Sequence, residues 1–317
     1  MAERWMMRIL VVGAGATGGY FGGRLLAAGR DVTFLVRPER ARRLAETGLV
    51  IRDSAGDVTL PAPATVTAGT LRGSFDLVLL SCKAYDLEGA IEGFAPAVGP
   101  ETIILPMLNG MRHLDRLDQR FGAGRVLGGL CQISAGLDPD GRILHLNTMH
   151  GLVFGERDGV RSTRVEALAE VLGHAGFDDR LSDAILLEMW EKWVFIAAAA
   201  GINCLMRATV ADIIAAEAGG LALALLDECA AVAASHGFQP REVWLERGRG
   251  MLTLPGSSLT ASMLRDLERG APIEADHVIG DLLRRGDPRP GAQPVLRIVY
   301  AHLKAYEARR AREAVSA

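Results

Sequence analysis

A glycine-rich stretch near the start of the chain constrains the fold more than any other feature of the sequence. The β-branched apolar run 9–12 leads directly into Gly13, Gly15 and Gly18, which have the G-x-G-x-x-G spacing, and apolar residues then recur at helical spacing up to Gly29. A strand, a glycine turn and a helix in this order are typical of a dinucleotide-binding unit. The sequence therefore predicts a buried strand followed by a turn that binds a pyrophosphate.

Each residue of this turn has an expected role. Gly13 permits the tight turn, Gly15 lets the backbone approach the pyrophosphate, and Gly18 lets the helix lie close to the strand. Ala16 and Thr17 begin the predicted helix, where backbone amides have no partner within the helix. Such amides are expected to bind the phosphate anion.

The end of the second strand indicates which dinucleotide is bound. Residues 31–36 predict a strand, and an NAD site usually has Asp or Glu at the end of that strand. This chain has Arg37 there, with Arg40 as a weaker candidate nearby. A guanidinium can make bidentate hydrogen bonds to a 2′-phosphate, whereas a carboxylate would repel it. We therefore expect NADPH/NADP as the cofactor.

Composition and charge argue against several classes of protein. The 317 residues carry a net charge of −3, and the basic residues are scattered, so neither nucleic acid nor an anionic membrane is an expected partner. The four cysteines lack metal-binding spacing, and the longest apolar run is too short to span a bilayer. Residues 1–7 read as a short extension without the apolar stretch of a signal peptide. We expect a cytoplasmic protein without a metal site.

The rest of the chain has two parts that differ in their predicted secondary structure. Strand-like segments alternate with helical ones in the first part, at 75–81, 102–105, 126–134, 142–146 and 151–155. Helical periodicity dominates the second part, over 184–200, 210–234, 273–285 and 295–312. The pattern predicts an α/β chain, with a Rossmann-type doubly wound sheet in an NADP-binding domain, 1–181, and an all-helical domain for substrate binding and dimerisation, 182–317.

Several short motifs indicate one family when they are taken in order. They are GAGATGG at 13–19, Arg37, CKAYD at 82–86, LNGM at 108–111, WEKW at 190–193, SML at 262–264 and Glu274. In these motifs the chain resembles the ketopantoate reductase (2-dehydropantoate 2-reductase) family along essentially its whole length. The resemblance implies a Rossmann domain and a helical domain with the substrate between them. It also implies NADPH-dependent reduction of a 2-oxo acid to a 2-hydroxy acid, as in the reduction of ketopantoate to pantoate in pantothenate biosynthesis.

The resemblance also implies roles for individual residues. Lys192, on an apolar helix, would polarise the substrate ketone and help to protonate the alkoxide that forms. Glu274, at a predicted helix start, would orient the substrate or Lys192, or take part in proton transfer. Ser262 would bind the substrate carboxylate, Asn109 would meet cofactor and substrate, and Lys83 would lie near the cofactor ribose or the reacting carbonyl.

The chain departs from the family pattern at two positions after the lysine. Pantoate-making members have asparagines four and eight residues after it, which hydrogen-bond the substrate, whereas this chain has Ile196 and Ala200. A pocket that has lost such polar partners no longer selects strongly for a hydroxyl group. Four interpretations stay open: a ketopantoate reductase, a related NADP oxidoreductase for a more apolar 2-oxo acid or ketone, a non-catalytic NADP-binding sensor and, as the weaker enzyme alternative, a β-hydroxyacid dehydrogenase. The joint presence of Lys192, Ser262 and Glu274 argues against the sensor.

Overall fold

A computed structural model describes residues 7–315 of the chain, without the side chain of residue 315. The extension predicted over residues 1–7 therefore lies, except for Met7, outside the described residues. The chain forms two compact units. The first comprises residues up to Leu108 together with His113–Ile185, and the second comprises Asn109–Arg112 and the chain from Leu186 onward. The short segment Asn109–Arg112 thus belongs with the helical part of the chain.

The first unit contains two sheets. The strands are β1 (Arg8–Val12), β2 (Asp31–Leu35), β3 (Leu49–Arg52), β4 (Val58–Leu60), β5 (Thr65–Val66), β6 (Phe75–Leu80), β7 (Val98–Pro106), β8 (Gly128–Leu137), β9 (Ile143–Gly155) and β10 (Asp178–Leu181). One sheet has the order β5-β2-β1-β6-β7 and is parallel throughout. The other has the order β10-β9-β3-β4, and β8 pairs antiparallel with β9. This confirms the predicted Rossmann-type parallel sheet, and it joins the two strands predicted at 142–146 and 151–155 into one.

Among the described residues, five α-helices belong to the first unit and seven to the second. They are α1 (Ala16–Ala27), α2 (Pro38–Thr47), α3 (Leu87–Phe94), α4 (Arg112–Phe121), α5 (Thr163–Leu172), α6 (Ile185–Met206), α7 (Val210–Ala215), α8 (Gly219–Ser235), α9 (Glu242–Thr253), α10 (Ser262–Glu268), α11 (Asp281–Arg285) and α12 (Pro294–Val315). A π-helix at Asp276–Gly280 leads into α11. No helix within residues 7–315 is both long and apolar enough to cross a membrane.

Two sequence expectations about helices are wrong in detail. The segment 210–234 is not one helix, because Glu217 has a φ of +57° and interrupts the helical conformation between α7 and α8. A left-handed residue cannot continue a right-handed helix. The segment predicted to be helical from residue 273 begins at Asp276 instead, so Glu274 precedes the helix and its carbonyl accepts hydrogen bonds from the amides of His277 and Val278.

A buried polar cluster ties α1 to the second sheet of the first unit. The Asp53 carboxylate, 3% exposed, accepts hydrogen bonds from Arg24 and His145, and the Tyr20 hydroxyl lies 3.3 Å from it. Burial alone would raise the pKa of Asp53, but hydrogen bonds from the Ala55 amide, His145 and Arg24 outweigh it and lower the pKa to about 2. The cluster therefore stabilises the ionised carboxylate and fixes the outer face of the helix that begins at the glycine turn.

Candidate functional site

The glycine turn lies at the carboxyl end of β1, and its three glycines meet different constraints. Gly13 has a φ of +96°, which favours glycine. At Gly18 a Cβ would lie 2.0 Å from Ser81 Oγ and 2.2 Å from the Gly13 carbonyl oxygen. Gly15 has a φ of −84°, and within residues 7–315 no neighbouring atom would lie within 4 Å of its Cβ. Packing of the chain therefore explains Gly13 and Gly18, whereas the absent side chain of Gly15 leaves room for a group from outside.

The start of α1 is suited to receive an anion. Gly15 is its N-cap residue, no side chain caps the helix, and its first turn carries no acidic residue. The amides of Ala16 and Thr17 lie in this first turn, where intrahelical partners are missing. Unpaired amides and the helix dipole together favour a phosphate at this position.

Ser81 is a residue of this turn that the sequence analysis missed. Its hydroxyl lies 2.8 Å from the Val12 carbonyl oxygen and 3.3 Å from that of Gly13, so it links the ends of β1 and β6. It also occupies the space that a side chain at Gly18 would need. The only sequence signal is a small polar residue directly after a buried strand. Ser81 thus stabilises the glycine turn through hydrogen bonds to the backbone carbonyl groups at its start.

Lys83 follows two residues later, at the same edge of the sheet. It is half-buried and is the N-cap residue of a short 3-10 helix, Ala84–Asp86. The neighbouring strands β1 and β6 lie where the strand order reverses, and open α/β sheets bind ligands at this point. The fold therefore places Lys83 at the same sheet edge as the glycine turn, and its role near the cofactor stays a prediction.

Arg37 and Arg40 have different surroundings. The Arg37 guanidinium is 80% exposed and forms an ion pair of 2.9 Å with Asp86. Arg40 donates hydrogen bonds to the carbonyl oxygens of Ala14 and Gly141, and burial and the nearby Arg43 lower its pKa. Arg40 is therefore used to hold the backbone of the glycine turn, whereas the Arg37 guanidinium lies at the surface.

Lys192 lies on α6 in the second unit. The helix is strongly apolar, and Trp193 and Val194 beside the lysine are fully buried. Lys192 itself is half-buried, and within the described part of the chain its ammonium group has no hydrogen-bond or ion-pair partner. An ammonium group that has no counter-charge among the described residues and stands beside apolar side chains is suited to an anionic ligand.

Two contacts connect α6 and the Asn109 segment with the chain around Glu274. The indole Nε1 of Trp193 donates to the Val278 carbonyl oxygen at 2.8 Å. A Cβ at Gly110 would lie 3.1 Å from the His277 ring, and the Asn109 backbone hydrogen-bonds that ring. The structure therefore brings the segments that carry Lys192, Asn109 and Glu274 into one region of the second unit.

His277 lies inside this region and is 6% exposed. Its burial lowers the pKa of the imidazole, against the opposing effects of Glu274 and Asp281. This buried histidine packs on Gly110 and serves as a structural partner of the Asn109 segment.

Ser262 is the first residue of α10 and is exposed. Ala261 is the N-cap residue, and within residues 7–315 no hydrogen bond involves the Ser262 hydroxyl. The Ala261 amide donates to the side chain of Asn203 on α6 at 3.0 Å. Asn203 thus connects the candidate serine to the helix of the candidate lysine. A buried asparagine in the apolar run GINCLM was the available signal.

Ile196 and Ala200 lie on α6 between Lys192 and Asn203. Ile196 is half-buried and Ala200 is 4% exposed. Residues four apart share one face of a helix, so these alkyl groups follow the lysine along the helix. The stretch offers no polar side chain before Asn203, whose amide bonds to Ala208 and Ala261.

Comparison with known proteins supports one family over nearly the whole chain. The family models described as ketopantoate reductase PanE/ApbA and its C-terminal domain match residues 9–159 and 184–307. The uncharacterized oxidoreductase YkpB of Bacillus subtilis is 41% identical and covers 96% of this chain and 100% of its own. The 2-dehydropantoate 2-reductase of Mesorhizobium japonicum is 31% identical, over 92% and 97% of the two chains. The crystal structure of 2-dehydropantoate 2-reductase from Methylococcus capsulatus is 30% identical, with a TM-score of 0.81 over 95% and 97% of the chains.

Proposed function

The chain belongs to the ketopantoate reductase family of oxidoreductases acting on CH–OH groups, and we propose that it is an NADPH-dependent reductase of a 2-oxo acid. Ketopantoate is the first candidate substrate, since relatives that align over almost the whole chain carry the name 2-dehydropantoate 2-reductase. The product would then be pantoate, a precursor in pantothenate biosynthesis. We also propose that the chain assembles as a homodimer, which light scattering would test.

The observation that carries this proposal is the state of Lys192. Hydride transfer to a ketone builds negative charge on the carbonyl oxygen, which a fixed cation stabilises. Lys192 is a half-buried residue on an apolar helix, and its ammonium group has no partner among the described residues. Its chemistry therefore matches the charge that the reaction creates.

The candidate residues of the second unit have separate roles in binding and reducing the substrate. The bound dinucleotide supplies the hydride. Lys192 polarises the ketone and gives a proton to the alkoxide, the Ser262 hydroxyl binds the carboxylate, and the Asn109 amide orients the substrate. Glu274, at the start of the π-helix, orients Lys192 or the substrate.

The first unit supplies the cofactor site in this proposal. A pyrophosphate fits at Gly15, where a Cβ would touch no other part of the described chain, and the amides of Ala16 and Thr17 would bind it. Lys83 lies at the same sheet edge. The Arg37 guanidinium is 80% exposed, and in this proposal it exchanges its ion pair with Asp86 for a 2′-phosphate, which favours NADPH over NADH.

A second candidate substrate is a 2-oxo acid with an apolar side chain. The alkyl groups of Ile196 and Ala200 favour it, because the same helix positions offer no hydroxyl partner. A site that binds a hydroxyl rejects analogues that lack it by several powers of ten, whereas an apolar pocket discriminates weakly against an added hydroxyl. The two candidates therefore predict different selectivity and not merely different rates.

The decisive experiment compares two substrates that differ by one hydroxyl group. We would measure NADPH oxidation with ketopantoate and with trimethylpyruvate, which has a methyl group in place of the hydroxymethyl group. A preference for ketopantoate of about 10³-fold or more in kcat/KM would support the first candidate. A preference for trimethylpyruvate would support the second, and Ile196→Asn should then move the preference towards ketopantoate. Tight NADPH binding with turnover of neither acid would contradict both candidates and leave a sensor or another carbonyl substrate.

A further inference from the structure

Asn203 is a fully buried amide whose hydrogen-bonding groups face two different segments of the second unit. It is 0% exposed, near the end of α6. Its Nδ2 donates to the Ala208 carbonyl oxygen at 2.8 Å, and its Oδ1 accepts from the Ala261 amide at 3.0 Å. Leaving either partner without a bond would cost roughly 1–3 kcal/mol in a buried setting. Both hydrogen-bonding groups of the amide therefore bind protein backbone, and the amide does not bind substrate.

The segment that Asn203 holds leads directly into Ser262. Residues 257–261 lie along the corner between α6 and α7, where the amides of Ala211 and Val210 donate to the carbonyl oxygens of Ser257 and Leu259, at 2.9 and 3.2 Å. The bond from Ala261 to Asn203 is the last of the series and the one made by a side chain. It acts on the N-cap residue of α10, so it determines where that helix begins.

Asn203 and Lys192 occupy the same face of one rigid helix. Eleven residues separate them, which is just over three turns and about 16 Å of α-helix. The ammonium group thus lies at one end of this face, and the start of α10 is attached at the other. Helix α6 can therefore set the separation between the proposed ketone-binding and carboxylate-binding groups.

We propose that Asn203 is a positioning residue that places the Ser262 hydroxyl for the carboxylate of the substrate. The proposal rests on the proposed function, in which Ser262 binds that carboxylate. Without the bond from Ala261, the first turn of α10 loses its tie to α6 and the hydroxyl is displaced. A shift of about 1 Å is enough to lose a well-oriented contact. A hydrogen bond to a carboxylate is lost in this way, while the lysine and the cofactor site keep their geometry.

Two variants test this by different routes. Asn203→Ala removes both bonds of the amide. Ala261→Pro removes only the N–H that Asn203 accepts, at a φ of −72° that proline adopts readily. Both should raise the KM for the 2-oxo acid about tenfold, with kcat and the Kd for NADPH unchanged, because the lost contact is present in both ground state and transition state.

The controls separate positioning from general destabilisation. Glu228→Gln weakens the same unit elsewhere, since the Glu228 carboxylate accepts bonds from the amides of Val295 and Leu296 at the start of α12. It should lower the Tm and leave KM unchanged. The methyl ester of the 2-oxo acid lacks the carboxylate charge, so for this substrate the effect of Asn203→Ala on KM should largely disappear.

Comparison with Ser262→Ala decides what has failed. If Ser262→Ala and both new variants raise KM for the acid but not for the ester, the inference stands. If Ser262→Ala raises KM and the other two do not, Asn203 is purely structural and the proposed function survives. If Ser262→Ala leaves KM unchanged, the assignment of Ser262 in the proposed function is wrong and the inference falls with it.

Discussion

Replacement of Gly15 by alanine should weaken dinucleotide binding strongly without harm to the fold. The φ of −84° is accessible to alanine, and within the described chain a Cβ would meet no neighbouring atom within 4 Å. Alanine is a poorer N-cap residue than glycine, but it also reduces the entropy of the unfolded chain. These effects oppose each other, so the free energy of unfolding should change by less than about 1 kcal/mol.

The same methyl group has a large effect on a bound pyrophosphate. It would stand between the phosphate and the amides at the start of α1, and hydrogen bonds to a charged group contribute roughly 1.5–3 kcal/mol each. Loss of one or two such bonds weakens binding about 10- to 10⁴-fold, and within this range we expect the Kd for NADPH to rise about a hundredfold.

Gly18→Ala provides the matched comparison within the same turn. Its Cβ would lie 2.0 Å from Ser81 Oγ and 2.2 Å from a backbone oxygen, so the strand end and the helix must move apart. Overpacking of this kind costs about 1–3 kcal/mol or more, which lowers the Tm of a unit of this size on the order of 5 °C. Gly15→Ala should instead keep the Tm of the unmodified protein.

Thermal unfolding and a fluorescence titration with NADPH, on both variants, measure the two effects separately. A Gly15→Ala protein that binds NADPH within about threefold of the unmodified protein would refute the placement of the pyrophosphate at this turn, given the hundredfold loss expected. A Gly15→Ala protein that loses Tm as Gly18→Ala does would refute the claim that packing leaves this position open.

Three further changes test the charged residues. Arg37→Ala should weaken NADPH about tenfold and leave the Kd for NADH unchanged, because only NADPH has the 2′-phosphate; equal losses would remove Arg37 from cofactor selection. Lys192→Ala should lower kcat at least about a hundredfold with NADPH titration unaltered, and full activity would exclude it as the acid. Asp53, with a pKa of about 2 in the folded state, contributes about 2 kcal/mol that is present above pH 4 and is lost as the pH falls through 2. Urea unfolding between pH 5 and 2 should therefore show a smaller loss for Asp53→Asn, and parallel curves would contradict this.

Local sequence pattern was sufficient for the part of the fold that positions the cofactor. The run 9–12 and the segment 75–81 are apolar and β-branched or leucine-rich, so strands buried on both faces are favoured at both places. The spacing from Gly13 to Gly18 then predicts the turn, because backbone conformation and close approach are properties of a few adjacent residues. The position of Arg37 just after the second strand can also be recognised in the local sequence, which needs no knowledge of distant contacts.

Contacts between distant segments could not be predicted in this way. Ser81 lies 68 residues from Gly13, and Asn203 lies 58 residues from Ala261, so no periodicity or spacing connects them. The π-helix at Asp276–Gly280 is another example, since the Trp193 indole, 85 residues away in the sequence, donates to the Val278 carbonyl oxygen within it. The interruption between α7 and α8 was not predicted either, because the left-handed residue there, Glu217, is neither glycine nor proline.

The polar groups along α6 bear directly on the substrate. The face of this helix carries a cation at Lys192 and an amide at Asn203, and both of the amide's hydrogen-bonding groups bind the protein backbone. Ile196 and Ala200, between them, present only alkyl groups. A substrate held along this face would therefore find a charge for its carbonyl oxygen and an apolar wall for its side chain. A hydroxyl group on that side chain needs a partner from another element, and an apolar 2-oxo acid needs none, which is why the comparison of ketopantoate with trimethylpyruvate discriminates so directly between the two candidates.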